Sequence, residues 1–179
     1  WNEGTMSYHN YALQALVETA EITRRLGLRL WEHPQLKNAV TGPLRAAYPN
    51  GQLPAINDSD PGDIGVFDWA FEWGWKTYRD PILAQAAARG NAAQLREWLG
   101  PQARVEWPPQ LGSETLTGVG LAILRHGSGP AAQCVFLDYG PHGGGHGHFD
   151  KLNLMLYANG REWLLDPGRL TYSHKEYKT

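Results

Sequence analysis

The stretch Gly140 to Gly168, GPHGGGHGHFDKLNLMLYANGREWLLDPG, gathers three histidines and two aspartates around a glycine run and leads into a hairpin. Gly143, Gly144 and Gly145 add no packing and cost backbone entropy, so the run points to unusual backbone angles or to close approach by another group. His146 and His148 are two apart and share a face wherever the backbone is extended, and Asp150 joins them. Imidazoles and carboxylates are the side chains that hold metal ions and move protons near neutrality. The stretch therefore reads as the floor of a site.

Composition bounds what that site can serve. The chain has 179 residues, 42% of them hydrophobic and eight of them Trp, which is ample for one packed core or parts of two. A formal net charge of -2 gives no support for a nucleic-acid partner, and no apolar run is long enough to span a bilayer. The single cysteine, Cys134 in AAQCVFLDYG, excludes an internal disulfide and reads as a buried, inert thiol. The chain opens at Trp1 without a methionine or a signal-like charged segment, and the expectation is a fragment whose targeting segment lies upstream.

The elements that must position these groups change character along the chain. Tyr8, Ala12, Leu13, Leu16, Val17, Ala20 and Leu26 recur at three and four, which predicts an amphipathic helix with Ser7 as N-cap and Gly27 as its stop. A second helix is expected over 34–48, interrupted at Gly42-Pro43, and the turn-rich segment 49–63 is expected to be a loop. Trp69, Trp73 and Phe71, Trp75 form i, i+4 pairs on a third helix, read as core first and sugar platform second, and two alanine-rich helices follow over 81–88 and 91–99. After Gly100-Pro101 the segments TLTGVGLAILRHG, AAQCVFLDYG, LNLMLYA and REWLLD are in strand style. The reading is a helical portion over 1–100 and a β-sheet portion over 101–179.

Asn159-Gly160 predicts a two-residue hairpin turn that pairs Ala158 with Arg161. That register sets Leu156 opposite Trp163, Leu154 opposite Leu165, Met155 opposite Leu164 and Asn153 opposite Asp166. Taken alone, Asp166 before Pro167-Gly168 is a turn former, Tyr8 and Tyr11 are packing residues, His9 and His33 are surface or capping groups, and His126 beside Gly127 belongs to a turn.

Two family patterns compete for the histidine element. The cupin barrel motif has a glycine, five residues, His-x-His, a glutamate and a later glycine, and Gly140, His146, His148 and Gly160 fit it. Asn153 stands where the glutamate ligand belongs, and the helical first half does not suit a simple barrel. The second pattern uses both ends of the chain. WNEGTMSYHNYALQAL at the start and GPHGGGHGHFDKLNLMLYANGREWLLDPG near the end resemble the two diagnostic regions of the heparinase II/III-like polysaccharide lyases, with the oligoalginate lyases nearest.

That resemblance implies an α+β multidomain fold, the C-terminal part of an (α/α) toroid followed by the start of an antiparallel β-sandwich or sheet domain. It implies β-elimination on a uronic-acid-containing polysaccharide or oligosaccharide, alginate first and heparin or heparan sulfate second. Tyr8 matches the family's catalytic tyrosine, which protonates the leaving oxygen and in some members also takes the C5 proton. His146 matches the histidine that faces the substrate and helps handle its carboxylate. His148 and Asp166 match two ligands of a structural zinc whose third ligand, a histidine, would lie outside this chain, His174 coming too early to replace it. Glu3, His142 and Asn57 are the candidate substrate-binding positions.

The expected partner is thus an anionic uronate polymer or oligomer, with no nucleic acid and no membrane, and the expected location is bacterial periplasm or secretion. A sugar-binding relative that kept the groove and lost the chemistry is the non-enzymatic alternative. One difficulty stands against the zinc: the hairpin register puts Asp166 beside Asn153, five residues from His148 and so roughly 17 Å away along an ideal strand. A straight hairpin cannot make that site, so the chain must bend or bulge between His148 and Leu152.

Overall fold

Each half of the chain folds according to its hydrophobic period. The computed structural model describes residues 5–141 and 146–169. Its helices are α1 (Met6–Arg24), α2 (Pro34–Arg45), α3 (Asp68–Tyr78), α4 (Pro81–Ala88) and α5 (Ala92–Leu99). Its strands are the two-residue β1 (Gln52–Leu53) and β2 (Gly62–Asp63), then β3 (Glu114–Leu116), β4 (Leu121–His126), β5 (Gln133–Asp138), β6 (Asn153–Ala158) and β7 (Arg161–Leu164). Among the described residues no helix is long and apolar enough to cross a membrane.

Contacts group the chain differently from the expected division at residue 100. One unit comprises residues 1–9, 46–62 and 111–179, and the other comprises 10–45 and 63–110. The segment 46–62 carries turn-forming residues in a helical neighbourhood of the sequence, yet it packs with the sheet. Its apolar residues are the reason: Tyr48 and Ile56 belong to the core beneath the strands.

In the helical unit the buried face of α1 is Leu13, Val17 and Ala20, one stripe at helical spacing. Tyr11, expected in the core, is 79% exposed because it lies off that stripe. α2 runs on through Gly42-Pro43 to Arg45, so the expected break does not form, although Pro43 has no N–H to give the helix ladder. His33 does cap, its Nδ1 accepting from the Gln35 N–H at 3.2 Å. α3 and α4 approach closely at Gly74, where a Cβ would meet Val40 Cγ1 at 2.8 Å and Leu83 Cδ1 at 2.9 Å. Asp80 caps α4 through the Ile82 N–H, and Asn91 caps α5 through the N–H groups of Ala93 and Gln94. Of the tryptophans, Trp75 is buried and Trp73 is 37% exposed.

In the other unit β3 to β7 form an antiparallel meander in chain order. Leu121, Ile123, Cys134, Phe136, Met155 and Tyr157 alternate inward and close over Tyr48 and Ile56, with the Tyr48 ring stacked on Tyr157 at 5.3 Å and edge-on to Phe136 at 5.1 Å. Removing a side chain such as fully buried Phe136 would cost about 3–5 kcal/mol. Cys134 is buried here, and burial pushes its thiol up to about 11, as expected of an inert sulfur.

The β6–β7 hairpin turns at Asn159-Gly160 and pairs Ala158 with Arg161 as the sequence predicts. Beyond Tyr157–Glu162 a bulge shifts the register, and Leu156 pairs with Leu164 instead of Trp163. The expected partners Leu154–Leu165 and Met155–Leu164 therefore do not form, and the apolar face that is buried is the one bearing Met155 and Tyr157.

Candidate active site and metal position

The site lies within the sheet unit and starts at the N-terminus of α1. Thr5 Oγ1 accepts from the Tyr8 N–H at 3.2 Å, while Ser59 Oγ accepts from the N–H groups of Met6 at 2.9 Å and Ser7 at 3.3 Å. Thr5, one residue before the helix, is the cap in place of the expected Ser7. This fixes the first turn and with it Tyr8, whose ring stacks on His146 with centroids 3.9 Å apart and planes 28° from parallel.

His146 is held from behind. Its Nδ1 lies 3.0 Å from Asp58 Oδ2, and its carbonyl accepts from the Asp58 N–H at 3.2 Å. His148 Nε2 lies 3.1 Å from the other oxygen of the same carboxylate, Asp58 Oδ1. Asp58 has no side-chain exposure, whereas the two imidazoles keep 27% and 19%. Asn57 Oδ1 accepts from the His148 N–H at 2.9 Å. Asn57 is buried at φ 56, a left-handed conformation that asparagine tolerates better than most residues.

A turn resolves the distance problem that a straight hairpin poses for Asp166. Leu152 adopts φ 65 and its N–H reaches the Asp138 carbonyl at 2.8 Å, so the chain reverses just before β6. With the bulge on the other arm, ligand atoms of His148, Asp150 and Asp166 come within 4.8 Å of one another. Asp166 is buried; its Oδ1 accepts from the Gly168 N–H at 2.8 Å and its Oδ2 from Asn153 Nδ2 at 2.9 Å. Burial holds its carboxyl above the usual range, a trend these two hydrogen bonds oppose. Gly168, at φ 64, is required here: a Cβ would sit 2.4 Å from the Ser59 carbonyl oxygen.

This donor set fits a small divalent cation. One imidazole and two carboxylates are ligand types zinc accepts, and ligands of a tetrahedral zinc stand about 3.3 Å apart, a modest closure from the present spacing. A buried carboxylate whose ionisation is disfavoured is also one that a cation would stabilise.

The structure thus brings Tyr8 and His146 together at one place, and His148 and Asp166 together at another. Asn57, a candidate substrate-binding position, has its side-chain carbonyl on the His148 backbone. Glu3 and His142 lie outside the described residues, as do Gly143, Gly144, Gly145 and His174. Sequence reasoning missed Ser59, and it weighed Asp58 with Asn57 only as a loop former and weak substrate contact, not as the carboxylate that holds both histidines. The available signal was a run of three polar residues, Asn57-Asp58-Ser59, directly after apolar Ala55-Ile56, which marks a loop that enters a core.

Two family models match stretches at the two ends of the chain. Residues 108–179 match the family model described as heparinase II/III-like, C-terminal, and residues 3–49 match the alginate lyase model. An exo-oligoalginate lyase of Saccharophagus degradans is 43% identical over 58 residues, covering 32% of this chain and 8% of that protein. Heparan sulfate lyase HepC of Pedobacter heparinus shares the fold with a TM-score of 0.73 at 21% identity, over 98% of this chain and 26% of that one. A heparinase III structure matches with a TM-score of 0.72 at 21% identity, over 96% of this chain and 28% of that one.

The fold is therefore the one these solved structures share, helices followed by an antiparallel sheet. Within it, the chain carries the sequence signatures of the heparinase II/III-like family at one end and of the alginate lyases at the other. It spans about a quarter of the length of the solved structures it matches. The described strands form an open antiparallel meander in chain order, not the barrel that the cupin alternative requires.

Proposed function

We propose that this chain forms part of a lyase that cleaves a uronate polymer by β-elimination, with alginate or its oligomers as first substrate and heparan sulfate as second. The observation that carries the reading is the stacked Tyr8–His146 pair, with His146 anchored on buried Asp58. Alginate comes first because the closer sequence match is to an oligoalginate lyase, whereas the heparan sulfate lyase shares fold at lower identity.

The reaction removes the C5 proton of the uronate, breaks the C4–O bond, forms the C4–C5 double bond and protonates the departing oxygen. The C5 proton becomes labile only when the neighbouring carboxylate is neutralised. His146, partly exposed and held through Nδ1 by Asp58, would meet that carboxylate from Nε2 in its protonated form, the form with a second N–H to donate. Tyr8 carries the hydroxyl that protonates the leaving oxygen, and as tyrosinate it could first take the C5 proton. His148, Asp150 and Asp166 would hold a zinc whose contribution is structural, tying the turn before β6 to the segment after β7.

Incubation of the full-length protein with alginate oligomers and with heparan sulfate fragments tests this. An unsaturated uronate absorbs in the ultraviolet, so absorbance should rise with alginate faster than with heparan sulfate. Binding of either sugar without any rise would favour the non-catalytic alternative.

A further inference from the structure

Three consecutive residues organise both the Tyr8–His146 pair and the metal position. Asn57 holds the His148 backbone, Asp58 contacts both imidazoles, and Ser59 caps α1 through its hydroxyl while its carbonyl accepts from the Arg169 N–H at 3.1 Å. Asp58 is the centre of this arrangement. Its two oxygens reach different ring atoms on the two histidines, Nδ1 of His146 and Nε2 of His148.

An ionised carboxylate only accepts hydrogen bonds, so the nitrogen that faces it must carry the hydrogen. His146 is then the Nδ1–H tautomer with its lone pair on Nε2, and His148 is the Nε2–H tautomer with its lone pair on Nδ1. We propose that Asp58 is a positioning residue that fixes His146 and His148 in opposite tautomers, one presenting Nε2 to substrate and the other Nδ1 to a metal. The roles given to the two histidines rest on the lyase reading; the tautomers themselves do not.

A single carboxylate thereby couples the two positions. Asparagine at 58 could still accept from one ring through its carbonyl, but its amide would donate to the other and force that imidazole to exchange tautomers. The effect parallels the loss of the correct histidine tautomer when a catalytic aspartate is replaced by asparagine. Partners that orient metal-bound histidines typically contribute 10- to 100-fold in affinity or activity.

The test is nitrogen NMR of metal-free protein labelled with 15N-histidine, at a pH where both rings are neutral, with His146 and His148 assigned by single substitutions. The expected spectrum shows the hydrogen on Nδ1 of His146 and on Nε2 of His148. The same tautomer on both rings would overturn the proposal. In Asp58→Asn one of the two should invert, and zinc affinity or kcat should fall by about 10- to 100-fold, with partial recovery in Asp58→Glu. Unchanged tautomers and zinc affinity in a folded Asp58→Asn protein would equally overturn it. Should that variant fail to fold, the wild-type spectrum decides alone. Opposite tautomers in a protein that yields no unsaturated product would instead sink the lyase reading and leave the role of Asp58 standing.

Discussion

Asn57 Oδ1 accepts a 2.9 Å hydrogen bond from the backbone N–H of His148, across 91 residues of sequence. The bond joins a loop to the one segment that contributes to both candidate sites. It also explains why an asparagine occupies φ 56, where the side chain must be small and able to accept.

Asn57→Ala should therefore be costly in two ways. It leaves a half-buried N–H without this acceptor, for about 1–3 kcal/mol, and it puts a Cβ without local hydrogen bonding in the left-handed region. Asn57→Gly restores the backbone freedom but not the acceptor, so it should lie between alanine and wild type. Denaturant unfolding of the three proteins checks the order. Equal stability of Asn57→Ala and wild type would show that the bond contributes nothing.

The sequence made the hairpin turn legible because Asn159-Gly160 is a local signal, and local signals depend on few neighbours. It did not reveal the bulge beyond Tyr157, because both Trp163 and Leu164 are apolar and either could stand opposite Leu156. His146 and His148 stand out by residue type and spacing, whereas their separate roles, and the choice of Tyr8 and Asp166, come through resemblance; residue type alone leaves Tyr8 a packing residue. The part Asp58 plays was invisible for a different reason. Its role comes from burial, and the same Pro, Gly, Asn and Asp pattern that marks 49–63 as a loop says nothing about whether the loop packs under a sheet.

The metal position yields a second prediction. The full-length protein should hold about one zinc per chain, detectable by elemental analysis. A ligand that binds only the folded state at 100 times its Kd stabilises by about 2.7 kcal/mol, so chelation should lower the unfolding midpoint. His148→Ala should lower that midpoint in zinc and leave little further response to chelator. Active, folded protein without metal would remove zinc from the account.

Asp68 gives a pH prediction in the helical unit. Burial pushes its carboxyl up to about 6, against the opposing pull of Arg89, whose Nη1 is 3.7 Å away. Because the folded state binds this proton more tightly than the unfolded chain, the contribution of Asp68 to stability is fully present below about 4 and is lost as pH rises through about 6. Asp68→Asn cannot ionise, so its stability relative to wild type should improve across that window. A stability difference that stays constant from pH 4 to pH 7 would contradict this assignment.

Tyr8 is the residue on which the proposed chemistry most depends. Tyr8→Phe keeps the ring that stacks on His146 and removes the hydroxyl proposed to pass a proton to the leaving oxygen. The helix start is held by Thr5 and Ser59 through backbone N–H groups, which the substitution does not touch, so folding should be unchanged. General acid-base groups contribute a factor of about 10² to 10⁴, and kcat should fall by that order with little change in KM. His146→Ala should behave differently, weakening KM as well as kcat, because it removes a partner of the substrate carboxylate in both ground and transition states. The contrast between the two variants separates proton transfer from carboxylate binding. Near-normal turnover in Tyr8→Phe would make Tyr8 a packing residue, and β-elimination would then need another acid.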